Sequence, residues 1–325
     1  MWIAAACAAA ASLLAGCQTG GSTAASGSAP PGSVITVASV PGVGDAPLYV
    51  AWQQGLFRQL GLTVHIRSYP TAAAEAAALR SGQADVAAGD YADFFYEQEH
   101  DASAPMVVLA DGYDAGANVM AVLVNPGSRI TTPQGLKHQT IGTAEPQLMP
   151  NRGAPFSLDT VAASSALNDD GVQPSTVTWR PMPAGQLVGA LQHHKVDAIL
   201  ATEPQIFQAE SQLGARAILD ACSGETVNLP LEGYFAPRSF ALKHRAALLA
   251  FRSALTHAQA DAAQPTPLEA ALMHYAGMSR QTASLITVGT YPTTMKLQSL
   301  QRVADLMSFY GALRYPLNVA PMIFR

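Results

Sequence analysis

Val34-Ile35-Thr36-Val37-Ala38, the turn Gly42-Val43-Gly44-Asp45-Ala46-Pro47, and then Leu48, Trp52 and Leu56 decide the fold. The first run is short, apolar and rich in β-branched residues, the composition of a buried strand. The glycine-bearing turn leads into a helix, with Asp45 at the N-cap and Pro47 in the first turn, where a missing N–H does no harm. Leu48, Trp52 and Leu56 recur at i, i+4 and mark the inward face, and Gly55 stops the helix. Strand, turn and helix in that order open an α/β unit.

The alternation continues outward. Leu62-Thr63-Val64-His65-Ile66-Arg67 alternates as a strand, and Thr71 caps a helix through Leu79 that Gly82 ends. Asp85-Val86-Ala87-Ala88 is a short strand. Asp90 caps the next helix through Gln98, with Asp93 at the capping-box position. Two more strands begin at Met106 and Val119. The pattern restarts after Thr132-Pro133, with strands at 140–143, 176–179, 198–201 and 217–219. Between them lie a helix capped by Ser157, a helix from Leu187, and a helix begun by Thr202 that carries Ile206 and Phe207 and stops at Gly214. From Lys243 onward the chain reads helical, broken at Pro265, Pro267, Gly277 and Pro292. This order predicts two mostly parallel, doubly wound sheets and a helical tail. In such sheets ligands sit beyond the carboxyl ends of the strands, near helix N-termini.

Of 325 residues, 49% are apolar and 13% charged, with a net charge of −5. So few charges exclude a disordered polyelectrolyte, and the acidic balance argues against nucleic-acid binding. Three cysteines exclude a disulfide framework or a cysteine-rich zinc site. No acidic or basic side chain precedes Asp45. Residues 2–14 form an apolar run too short to span a bilayer of about 30 Å, as in a secretory signal. Leu13-Leu14-Ala15-Gly16-Cys17 resembles a bacterial lipobox, although the usual Lys or Arg before the apolar run is absent. The expectation is a signal peptide over 1–17, lipidation at Cys17, and a flexible tether over 18–33. That places the protein outside the cytoplasmic membrane, held by its lipid or free in a periplasm, with no other membrane contact.

Pro47-Leu48-Tyr49-Val50-Ala51, Gly55-Leu56-Phe57 and Gly61-Leu62-Thr63-Val64 resemble the opening of ABC-transporter solute-binding proteins. The branch is the one for thiamine-precursor pyrimidines, alkanesulfonates, taurine and nitrate. Leu79-Arg80-Ser81-Gly82-Gln83-Ala84-Asp85-Val86-Ala87, then Gly135-Leu136-Lys137 with Thr140-Ile141-Gly142, then Val196-Asp197-Ala198-Ile199 with Thr202-Glu203-Pro204, resemble later blocks in family order. The resemblance implies an α/β, two-lobed periplasmic-binding-protein type 2 fold: two sheets joined by two crossing strands near 119–125 and 228–235. Lobe 1 would take 34–122 and 232–325, including the helical tail, and lobe 2 would take 123–231. A ligand would lie between the lobes, and an ABC permease and ATPase would be partners of a monomeric chain.

The candidate ligand contacts lie in the loops at strand ends. Gly44 and Asp45 begin the first helix; Asp45 either contacts a ligand amine or only caps. Asp90, Tyr91 and Glu203 stand at further strand ends, the acids again as contacts or as helix-terminus residues. Tyr49, Tyr69, Tyr91, Phe156, Phe207 and Tyr234 are candidate aromatic walls. Thr71, Thr143, Ser157 and Thr202 offer hydroxyls. Trp52 and Phe57 read as core. Asp45, Asp90, Glu145 and Glu203 against one cation, Arg152, tilt the expected ligand toward a neutral or weakly basic heteroaromatic such as an aminopyrimidine. Helix N-termini keep an alkanesulfonate, taurine or nitrate open.

The sequence carries no G-x-S-x-G, no phosphate-binding Gly-rich loop followed by Lys-Ser/Thr, and no H-E-x-x-H. Adjacent His193 and His194 lack metal-ligand spacing, and Cys222 reads as a small buried residue. No cofactor, metal or catalytic residue is expected. An enzyme on the same fold, of the pyrimidine synthase or dehydratase type, is the second class. A sensor module is the third; it is expected to carry a transmembrane or signalling segment, and none follows Arg325.

Overall fold

The computed structural model describes residues 28–30, 32–144 and 157–325. The chain builds β1 (Ser33–Ser39), α1 (Ala46–Gln53), α2 (Leu56–Gln59), β2 (Leu62–Ser68), α3 (Ala72–Arg80), β3 (Val86–Asp90), α4 (Tyr91–His100) and β4 (Met106–Asp114). It then forms β5 (Met120–Val124), β6 (Thr140–Ala144), α5 (Leu158–Asp169), β7 (Thr178–Met182), α6 (Leu187–Gln192), β8 (Ala198–Thr202), α7 (Gln205–Leu213) and β9 (Arg216–Asp220). It returns through β10 (Pro230–Pro237) and ends in α8 (Arg238–Lys243), α9 (Arg245–Ala262), α10 (Pro265–Tyr275), α11 (Arg280–Leu285) and α12 (Leu297–Phe309).

Two five-stranded sheets result, ordered β2-β1-β3-β10-β4 and β7-β6-β8-β5-β9. The three strands at one end of each sheet run parallel, as the alternation predicts. Each sheet then takes in one antiparallel strand, β10 between β3 and β4 and β5 between β8 and β9, so both sheets are mixed. The reason is topological: β5 and β10 are the strands that arrive from the other sheet. The chain passes between sheets over 115–119 and again over 221–229.

Local chemistry sets several boundaries. Gly55, at φ +70°, ends the first helix and separates α1 from the single turn of α2. Gly214, at φ +66°, closes α7. Ser157 accepts from the Thr160 amide while Thr160 Oγ1 accepts from the Ser157 amide, a reciprocal box at the start of α5. Three expected caps differ. Asp45 makes no side-chain cap bond to α1; its Oδ2 accepts from the Gly42 amide instead. Thr202 closes β8 and does not cap α7; Glu203 Oε2 takes the Phe207 amide instead. Asp93 turns into the cavity described below and does not complete a box with Asp90.

The first sheet is covered partly by its own helices and partly by the C-terminal ones. α9 lies against α1, α2, β2 and β4, and α10 against α1. Phe57 stacks on Phe251 of α9 at 5.2 Å, and Tyr234 meets Phe251 edge-on. Trp52, expected in this core, is 47% exposed and borders a groove with Tyr49 and with His274 and Tyr275 of α10. α12 packs on α4 and also reaches α5.

Candidate functional site

The carboxyl ends of β1, β3 and β6 and the first turns of α3 and α5 meet around a cavity of about 220 Å³. Val40 follows β1, Ala88 to Asp90 end β3, Ala144 ends β6, Ala72 begins α3, and Ser157 to Asp159 begin α5. Both sheets therefore contribute, in the position that the strand directions predict.

The lining is acidic. Glu75, Asp90, Asp93 and Glu232 come from the first lobe and Asp159 from the second. Asp45 lies behind Glu232 and is 2% exposed. No Lys, Arg or His lines the cavity among the described residues. Burial without a cation disfavours the ionised form, and like charges reinforce the effect. Burial, with a further push from Asp159, raises Glu232 to about 7. Asp93 is likewise raised to about 7 by burial, then by Glu97 and Asp159, and Asp159 to about 6 by burial. Asp45, Glu75 and Asp90 are raised well above the usual carboxylate range, first by burial and then by one another's cluster.

Two glycines make room for these groups. A Cβ on Gly44 would run into the Glu232 carboxylate, and a Cβ on Gly89 would meet Glu75 Oε2 at 2.9 Å. Glu75 is 1% exposed, and its Oε1 has no hydrogen-bond partner. Asp45 Oδ2 accepts from the Gly42 amide at 3.1 Å, whereas Oδ1 has no hydrogen-bond partner. Buried acceptors of this kind are normally satisfied, so the arrangement favours a donor arriving from outside.

The sequence-predicted residues divide accordingly. Asp90 and Ser157 line the cavity, and Gly44 and Asp45 stand behind it against Glu232. Asp90 Oδ1 is also a helix cap, accepting from Ala92 at 2.6 Å. Thr71 caps α3 through the Ala74 amide, and Thr143 is fully buried one residue before the lining Ala144. Tyr69 leaves β2 and packs on Ala38, Ala78 and Ala84. The other described candidates are placed elsewhere. Tyr49 is buried and stacks on Tyr275 of α10 at 3.8 Å. Tyr91 is core, donating to Asp111 Oδ1 at 2.9 Å, and Tyr234 is core against Phe251. Phe207 packs on the main hydrophobic core. Thr202 ends β8, and the neighbouring Glu203 joins the lobes, its Oε1 accepting from Thr287 at 2.9 Å. Glu145, Phe156, Arg152 and Cys17 lie outside the described residues.

Sequence reasoning missed Glu75, Asp159 and Glu232 and read Asp93 only as a cap. The available signal was an acid in an apolar strand, Leu231-Glu232-Gly233-Tyr234-Phe235, and one in an alanine-rich helix, with no basic residue at pairing distance along the chain. Cys222 is buried and its thiol is pushed up to about 12, which leaves it a poor nucleophile.

The sequence matches the model of the NMT1/THI5-like family over residues 44–270, a span that includes every residue named in the lining except Val40. This chain belongs to the NMT1/THI5-like family. Among solved structures, it is similar to the periplasmic aliphatic sulphonate binding protein SsuA from Escherichia coli: 18% identity, TM-score 0.73, covering 90% of this chain and 97% of that one. The ligand-binding component of an ABC-type import system from Staphylococcus aureus, with zinc bound, gives 14%, 0.71, 90% and 96%. The periplasmic nitrate-binding protein NrtA from Synechocystis PCC 6803 gives 12%, 0.68, 90% and 85%. No curated protein matches the sequence. At these identities the likeness establishes the fold: this NMT1/THI5-like chain has the two-lobed architecture of periplasmic binding proteins. These three neighbours are binding proteins or a ligand-binding component.

Proposed function

We propose that this protein is the extracytoplasmic solute-binding component of an ABC importer and that its ligand is a small cation, with an amine-bearing heteroaromatic such as an aminopyrimidine as the favoured class. The observation that carries the ligand class is the cavity wall: five carboxylates from both lobes and no cationic side chain among the described lining residues. A protonated amine entering there pairs with these carboxylates, among them Glu75, whose buried Oε1 has no hydrogen-bond partner. An anion would be repelled by the same groups unless they first took up protons from solvent. The transport role is supported by family membership and by the fold.

Capture occurs as the lobes close on the ligand, which drives closure only through its greater affinity for the closed form. The permease and ATPase receive the ligand from that closed form. No described helix is long and apolar enough to cross a membrane. Attachment through a lipid on Cys17, with the chain monomeric, completes the proposal. A thermal-shift screen with an aminopyrimidine, taurine, an alkanesulfonate and nitrate tests it. Stabilisation by the aminopyrimidine alone is expected; stabilisation by the sulfonates alone overturns the ligand class.

A further inference from the structure

Five of the six clustered carboxylates belong to the first lobe: Asp45 before α1, Glu75 on α3, Asp90 ending β3, Asp93 on α4 and Glu232 on β10. The sixth, Asp159, is the only acid that the described residues of the second lobe bring to the cavity. It sits in the first turn of α5, held by the Ser157–Thr160 box. An acidic cluster alone marks no site. Here Glu75 is a second observation, because it lines the cavity at 1% exposure with Oε1 unpartnered.

We propose that Asp159 is the specificity-determining residue of the cleft: set against Glu232, Asp93 and Asp90 across the lobe boundary, it makes closure conditional on a positive charge that reaches both lobes. The proposal rests on the solute-binding reading but not on the identity of the cation. When the lobes part, water solvates each carboxylate. When they meet, the facing charges lose that water and repel, so closure needs either a cation between them or protons on them. A neutral ligand supplies neither.

The other charged groups on elements packed against α5 are engaged elsewhere or belong to the same sign. Arg216 of β9 donates to the Ser128 and Ile130 carbonyls, and Arg302 of α12 to the Val227 and Asn228 carbonyls. Asp220 Oδ1 accepts from the Cys222 amide, and Glu225 is exposed in the turn that follows. Asp305 of α12 accepts from Gln301, and Tyr310 follows α12 with its hydroxyl against Ser165. Asp169 and Asp170 are at the far end of α5. The raised positions of Asp159, Asp93 and Glu232 agree with this geometry.

Small-angle scattering of the ligand-free full chain across about pH 5 to about pH 8 tests the proposal. The wild type should expand as pH rises. In Asp159→Asn the midpoint of expansion should move up by at least about one pH unit, or leave the range, because one facing charge is gone. Glu225→Gln, an exposed acid outside the cleft, should follow the wild type. A wild type whose radius of gyration does not change with pH, or an Asp159→Asn curve that overlays the wild type, overturns it. Finding that no amine binds would overturn the ligand class and leave this result intact.

Discussion

Gly44 and Glu232 form the tightest steric pair of the cleft. Any side chain at 44 occupies the space of the Glu232 carboxylate. Gly44→Ala is therefore expected to keep the fold, as circular dichroism would show, while lowering affinity for the cationic ligand about tenfold or more, the cost of one misplaced charged hydrogen bond. Glu75→Gln removes a buried charge with almost no change of shape. It should raise the melting temperature of the ligand-free protein near neutral pH and weaken ligand binding, two opposite readouts from one substitution. At this scale the sequence was informative where an acid or hydroxyl stands at a strand end, as Asp45, Asp90 and Ser157 do. It did not lead to Glu75, Asp159 or Glu232, although the first and last carried a faint signal. An acid on an alanine helix, in a first helical turn or in a strand reads locally as a solvated or dipole-favoured group, and only the tertiary fold brings the three together. Tyr91 and Tyr234 misled for the converse reason: an aromatic near a strand end serves equally as wall or as core, and both are buried here.

α5 connects the local signal to the site. Its reciprocal Ser157–Thr160 box fixes where the helix begins and so where Asp159 stands. Ser157→Ala should cost about 1 kcal/mol of stability in chemical denaturation, the usual value of an N-cap, and should also weaken binding because the first turn loosens. α9 is the element that supports the first lobe. Phe251 stacks on Phe57 and meets Tyr234 edge-on, and it is fully buried. Phe251→Ala is expected to cost about 3–5 kcal/mol in the same assay. Strands and helices were legible from period and caps, down to the glycine stops at Gly55 and Gly214. The direction of β5 and β10 was not. Nothing in a five- or eight-residue apolar run states which neighbour it pairs with, and both insert antiparallel because they come from the opposite sheet.

The whole molecule stores like charge between its lobes, and pH exposes that. Asp93 and Glu232 are held near about 7 and Asp159 near about 6, above the ordinary 3.8 for Asp and 4.5 for Glu. The folded protein therefore binds more protons than the unfolded chain across this window. The stability these groups contribute is present in full below their ordinary values and is lost as pH rises through about 6 to 7. The melting temperature of ligand-free protein should fall from about pH 5 to about pH 8, and a bound cation should reverse the fall. The central claim, a cleft built for a positively charged organic ligand, meets its most direct test in mass spectrometry of the small molecules released when the purified protein is denatured. The account predicts an amine-bearing, positively charged heteroaromatic at near one equivalent per chain; a sulfonate, nitrate or other anion at that stoichiometry would contradict it.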